Sequence, residues 1–205
     1  MKPGHGQAEQ ATSPDVQEKI ERFLDLLMLW NGRINLIAER DRLVIHQRHV
    51  EDSLQLAPLL ADTAGPHLDL GSGGGFPGLV LAFVTTRPTH LVEADRRKAA
   101  FLVEVSARLN LRHVTVHACR IDRLTLQPVT AITARALAPL RGLLPHVERF
   151  LQPEGVAVFP KGQAVEMELA EARQGWTFQD ERFTSRTDPS ATILRLSKVR
   201  RAGQA

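Results

Sequence analysis

The run His67-Leu-Asp-Leu-Gly-Ser-Gly-Gly-Gly-Phe-Pro-Gly78 constrains this chain more than any other stretch. Leu68, Asp69 and Leu70 read as the end of a buried strand. Gly71, Gly73 and Gly75 then permit a turn that side chains would block. Such a turn brings backbone N–H groups close to a ligand, at the N-terminus of the helix that follows. An acid follows at a suitable distance. Leu91-Val92-Glu93 reads as the end of the next strand. Glu93 falls roughly 20 residues after the glycines, where a carboxylate grips ribose hydroxyls in nucleoside-binding α/β folds. A Gly-rich turn alone marks only a strand–helix junction, and an isolated Glu93 only a solvated strand end. Together they predict a nucleoside-cofactor pocket.

The rest of the chain suits one domain with an appendage. It has 205 residues, of which 43% are hydrophobic, enough to bury a sizeable core. No apolar run reaches about 18 residues, so no membrane span is expected. Residues 1–15 are rich in Gly, Gln, Ser and Pro and lack the apolar core of a signal peptide, which predicts a disordered tail. The single cysteine, Cys119, excludes a disulfide framework and a cysteine zinc cluster. A cytoplasmic monomer without a metal is the simplest expectation. The net charge of +3 is compatible with nucleic acid without establishing it.

Apolar residues at helical spacing predict a helix over 16–31, with Ser13-Pro14 as its start. A second helix is predicted over 41–60, ending near Pro58. These two make a helical N-terminal extension over 16–62. From His67 the rhythm changes. Strands are predicted at 67–71, 89–93, 113–117, 129–134, 154–160, 176–182 and 191–197, with helices at 76–84, 96–109, 139–150 and 163–173. Strands alternating with helices imply a mostly parallel sheet covered on both faces. No helix fits between the last two strands, so that pair is expected to be antiparallel. The pattern predicts an α/β fold: the Rossmann-like seven-stranded fold of S-adenosylmethionine-dependent methyltransferases, over 63–200. Residues 201–205 read as a basic, flexible end.

The loop spacing argues for the same cofactor. Gly71, Gly73 and Gly75 give G-x-G-x-G, tighter than the G-x-G-x-x-G of dinucleotide sites, and no G-K-[ST] ending follows. S-adenosyl-L-methionine carries an amino-acid tail where a dinucleotide carries phosphates. Ligands in open α/β sheets sit outside the carboxyl ends of the strands. There the third strand ends in Arg120-Ile121-Asp122, and Ile121 backbone with the Asp122 side chain brackets an adenine, unless Asp122 only caps a helix. The fourth strand ends at Arg135, either a binding residue facing the cleft or half of a structural salt bridge.

Several motifs now resemble one family in order and spacing. Trp30-Asn31…Asn35-Leu36, Arg48-His49…Asp52-Ser53-Leu54, the loop through Phe76-Pro77-Gly78, Lys98…Phe101-Leu102, Arg120-Ile121-Asp122, Arg135-Ala136 and Lys161-Gly162 are similar to the GidB (RsmG) family of bacterial 16S ribosomal RNA methyltransferases. The match runs from about Trp30 to Lys198. Ala94 and Ala134 stand where the family usually has Ser, and Asp122 where it has Glu. The resemblance implies methylation of guanine N7 in a decoding-region loop, on 16S ribosomal RNA or the small ribosomal subunit. It implies cofactor contacts at Gly71, Phe76, Ile121, Asp122 and Arg135, to which the residue reading adds Gly73, Gly75 and Glu93.

Guanine N7 carries a free lone pair on its major-groove edge. No general base is then required, and catalysis reduces to positioning. Arg135 and Lys161 are the candidate catalytic residues. Arg33, Arg48, His49 and Lys161 are the candidate RNA contacts, against helix packing for His49 and a solvated helix face for Arg33 and Arg48. Cys119 reads as a small packed residue rather than a nucleophile. The rival reading is a non-catalytic cofactor- and RNA-binding assembly protein, which has no need of a complete glycine loop with Glu93.

Overall fold

The computed structural model describes residues 13–203. The expected tail falls almost wholly outside them. Seven strands, β1 His67–Leu70, β2 Thr89–Val92, β3 Val114–His117, β4 Val129–Ala134, β5 Leu151–Lys161, β6 Trp176–Thr184 and β7 Thr192–Arg201, form one sheet. Their order is β3-β2-β1-β4-β5-β7-β6. The first five are parallel, and β7 enters antiparallel between β5 and β6. Strand order reverses between β1 and β4, and open α/β sheets bind ligands at such a switch. Every residue of β1 is buried, as expected of a strand covered on both faces.

Helix α1, Pro14–Asn31, begins as its sequence predicts. The Ser13 hydroxyl accepts from the Val16 N–H, and Pro14 sits where a missing N–H costs nothing. Val16, Ile20, Phe23 and Leu27 make its buried stripe. Phe23 meets Phe76 edge-on at 5.2 Å and Phe83 at 5.6 Å. The N-terminal helix therefore shares one apolar cluster with the glycine loop and the helices beside it.

The second expected helix, 41–60, does not form as one piece. The chain makes a 3-10 turn at Glu39–Val44, a π-helical turn at His46–Glu51, a short α2 at Asp52–Leu54 and another 3-10 turn at Ala57–Leu60. Two causes are visible. Buried Asp41 draws Arg48 (3.2 Å) and His49 (3.4 Å) toward itself, and the Ser53 hydroxyl bonds the His49 carbonyl at 2.6 Å. Both favour a widened turn, a feature frequent at functional sites.

Beyond the loop lie α3 Gly78–Phe83, α4 Arg96–Arg108, α5 Leu140–Phe150 and α6 Val165–Arg173, each within two residues of expectation at either end. The last strands run longer than expected. A register shift between Thr177 and Gln179, opposite Lys198 at φ 52°, carries β7 on to Arg201. Arg201 is therefore not part of a flexible end. Its guanidinium lies over Trp176 at 5.0 Å, and its N–H donates to Glu148.

Candidate active site

The loop after β1 is built from backbone. Gly71, Gly73 and Gly75 have φ of 68°, 53° and 92°, a region that L side chains rarely enter. The glycines serve different ends. A Cβ on Gly71 would lie 2.7 Å from Leu137, so packing excludes it. A Cβ on Gly73 would meet nothing nearer than 3.8 Å, which leaves that face open to a ligand. Glu93 is fixed against this loop. Its Oε2 accepts from the Gly73 N–H and its Oε1 from the Asp95 N–H, both at 2.8 Å. Each oxygen keeps a lone pair, which fits a ribose diol. Ile121 and Asp122 begin a 3-10 turn at the end of β3. Asp122 is exposed, and its hydrogen bond from Arg120 holds the carboxyl below its usual pKa. These groups fit the ribose and adenine of S-adenosyl-L-methionine.

Beneath the loop runs a buried polar relay that sequence reasoning missed. In the parallel pairing of β1 and β4, Asp69 stands opposite Thr133, and His67 shares their face. The Thr133 hydroxyl donates to Asp69 Oδ1 at 2.6 Å, so it accepts from His67 Nε2 at 2.8 Å. Burial pushes the Asp69 pKa up to about 6 and the His67 pKa down to about 3. The alternation of His67, Asp69 and Thr133 within apolar strands was the available signal.

Next to the loop, over the ends of β4 and β5, lies a cleft of about 930 Å³. Arg135 stands in its wall. Its guanidinium donates to Asp52 Oδ2 and the Arg48 carbonyl, each at 3.3 Å, and lies 5.2 Å from the Phe76 ring centre. Burial lowers the Arg135 pKa, and Asp52 counteracts that. His49 stacks on the same Phe76 ring at 5.0 Å. Burial, then the charge of Arg135, brings the His49 pKa down to about 4, so the imidazole is neutral at neutral pH. Asp52 also accepts from Gln55 (2.8 Å) and Thr187 (2.9 Å), which joins the N-terminal segment to the β6–β7 turn.

Arg48, His49, Arg135 and Lys161 all line the cleft. Lys161 does not arrive as a free phosphate contact. Its ammonium donates to the Ala138 carbonyl (2.9 Å) and to Glu168 (2.8 Å), which braces the turn after Arg135. In that turn Ala136 has φ 51°, a strained conformation for a residue with a side chain. Arg48 is ion-paired with Asp41, and Arg33 is exposed away from the cleft. Gly71, Gly73, Gly75, Glu93, Ile121 and Asp122 lie outside the cleft lining, and Phe76 bridges toward it through Arg135 and His49. Asn31, in the first family-like motif, is structural: its side chain accepts from the Leu36 and Ile37 N–H groups.

Solved structures share this architecture. A glycopeptide N-methyltransferase MtfA complexed with sinefungin superposes with a TM-score of 0.62 at 12% identity, over 73% of this chain and 93% of that one. Ribosomal protein L11 methylase from Lactobacillus delbrueckii subsp. bulgaricus gives 0.58 at 14% identity, over 72% and 76%. The fold is thus the Rossmann-like fold of S-adenosylmethionine-dependent methyltransferases. Within that class, the profile of the GidB family, rRNA small subunit methyltransferase G, matches residues 16–192. The chain is 49% identical to the ribosomal RNA small subunit methyltransferase G of Granulibacter bethesdensis, covering 95% of this chain and 91% of that protein. It is 46% identical to that of Rhodospirillum centenum, covering 94% and 89%. This chain belongs to the GidB family.

Proposed function

We propose that this protein methylates N7 of a guanine in the decoding-region loop of 16S ribosomal RNA, acting as a cytoplasmic monomer on the RNA or the small ribosomal subunit. The observation that carries this reading is the position of Arg135. It stands at the end of β4, beside the glycine loop, fixed by Asp52 and packed over Phe76 in the wall of a cleft of about 930 Å³, roomy enough to admit a whole nucleotide. A guanidinium there donates to O6, the acceptor next to N7.

Bound S-adenosyl-L-methionine supplies a methyl group already activated as a sulfonium. Gly73 and Glu93 hold its ribose, with Ile121 and Asp122 at the adenine. The N7 lone pair needs no proton removed, so the chain's contribution is alignment and exclusion of water. Neutral His49, backed by the buried Phe76 ring, lines the cleft, and Arg135 sets the base's rotation. Lys161 and Glu168 hold the turn that carries Ala136 and Leu137. The fixed loop and Glu93 favour an enzyme over a non-catalytic assembly protein.

The test is methyl transfer from labelled S-adenosyl-L-methionine to small-subunit RNA and to assembled subunits, followed by nucleoside analysis. Label in 7-methylguanosine is expected. Arg135→Ala should lower kcat/KM about 10²- to 10³-fold, the usual loss for one preorganised donor. Label in another nucleoside, or none despite cofactor binding, would overturn the reading.

A further inference from the structure

Three carboxylates line the cleft among the described residues: Asp52, Glu168 and Asp188. Two are tied up in ion pairs. Asp52 accepts from Arg135, Gln55 and Thr187. Glu168 accepts from the Lys161 ammonium and the Leu140 N–H through one oxygen, as half of a half-buried ion pair. Asp188 differs from both. It is exposed, on the turn between β6 and β7. Its Oδ1 accepts from the N–H and hydroxyl of Ser190, at 2.9 and 2.7 Å, which fixes its rotamer. Its Oδ2 accepts no hydrogen bond from the described residues. The Ser190 bonds keep the group ionised, helped by the charge of Arg48.

The position of Asp188 is set by the rest of the site. Its own N–H donates to Ser185, which also bonds Gln55 and Thr187. Thr187, its neighbour in the chain, donates to Asp52, and Asp52 holds Arg135. The spacing between the Arg135 guanidinium and the Asp188 carboxylate is therefore fixed by a short run of hydrogen bonds. That places a donor and an unused acceptor in one cleft.

A guanine needs such a pair. Its N7 edge carries two acceptors, N7 and O6. Its adjoining Watson–Crick edge shares O6 and adds two donors, N1–H and the 2-amino group. A carboxylate is acceptor-only and matches that edge, whereas an adenine presents an acceptor there and would be repelled. We propose that Asp188 selects guanine, with its free Oδ2 accepting from the 2-amino group while Arg135 faces O6. This assignment rests on the N7 reading above and adds to it the residue that reads the Watson–Crick edge of the base.

The experiment uses small subunits reconstituted with 16S RNA bearing either guanosine or inosine at the target nucleotide. Inosine keeps N7, O6 and N1–H and lacks only the 2-amino group. The wild-type protein should favour guanosine by about 10- to 100-fold in kcat/KM, the range for one hydrogen bond to a charged group. Asp188→Ala should reduce guanosine to the level of inosine, so that the ratio approaches one. Asp188→Asn retains an acceptor for Ser190 and should flatten the ratio as well, which separates loss of recognition from a loosened turn. A wild-type ratio near one, or a ratio unchanged in both variants, would overturn the assignment. Failure of the underlying reading looks different: the wild type would leave no methyl on N7 of the guanosine substrate, and the role of Asp188 would fall with it.

Discussion

The two halves of this site lie side by side on one sheet and are made by different means. The half at the ends of β1, β2 and β3 is made of backbone: three left-handed glycines, two N–H groups and one carboxylate that they hold. The half over β4 and β5 is made of side chains from distant parts of the chain. Arg135 reaches Asp52 across 83 positions, and Thr187 reaches Asp52 across 135. A backbone-made pocket depends on local dihedrals. A side-chain-made cleft depends on the whole fold being in place. Damage to one should therefore spare the other.

The largest test of that separation is Asp52→Ala. It strands Arg135 in a mostly buried position and frees the β6–β7 turn. Stability should fall by about 3 kcal/mol, read from the denaturant midpoint. Methyl transfer should fall with it, while cofactor affinity at low temperature stays near wild type. An equal loss of cofactor affinity would break the comparison. Gly71→Ala probes the other half. A left-handed alanine pressed on Leu137 should shift the loop and weaken cofactor binding about 100-fold by titration calorimetry, with RNA affinity retained.

A smaller effect concerns the relay beneath both halves. His49 and His67, with pKa values lowered to about 4 and about 3, refuse protons that their unfolded forms accept below about 6.5. Stability is therefore full above that pH and declines as pH falls. His90, His117 and His146 are shifted in the same direction. Asp69 opposes them. Raised to about 6, it binds a proton in the folded state that the unfolded state takes only near 3.8. Asp69→Asn removes this opposition and should steepen the acid slope by about 1.4 kcal/mol per pH unit between those values. Thermal unfolding across pH 4–6 measures it, and an unchanged slope would place the Asp69 proton elsewhere. The smallest effect is expected at Arg33, outside the cleft. Arg33→Ala should lower the salt slope of RNA binding by about one and leave cofactor affinity untouched.

The same contrast explains what the sequence made legible. The glycine loop, Glu93 and the strand–helix alternation depend on neighbours in the chain, so spacing revealed them. Arg135 was visible as a strand-end cation in a parallel sheet. Its partner was not, because nothing near Asp52 in sequence announces Arg135 or Thr187. Lys161 looked free for the same reason: Glu168 lies on the following helix, and the Ala138 carbonyl is 23 positions away. The broken segment at 39–60 hid because its apolar spacing suits a helix, while the pull of Asp41 on Arg48 and His49, a few positions further on, follows no spacing rule of a regular helix. Asp188 was overlooked as a turn residue, and only the cleft gives it a use.

The burial of Phe23 sets an order of events during synthesis. This ring on α1 is fully enclosed, and its aromatic neighbours are Phe76, Phe83 and Phe101. The last of these leaves the ribosome about 80 residues after Phe23, which at ~5–20 residues per second is a wait of several seconds. Until Phe76 emerges, about 50 residues after Phe23, none of these rings exists to cover the apolar stripe of α1. The first helix to be made therefore waits for its cover, and a nascent chain halted before Phe76 offers that stripe to chaperones.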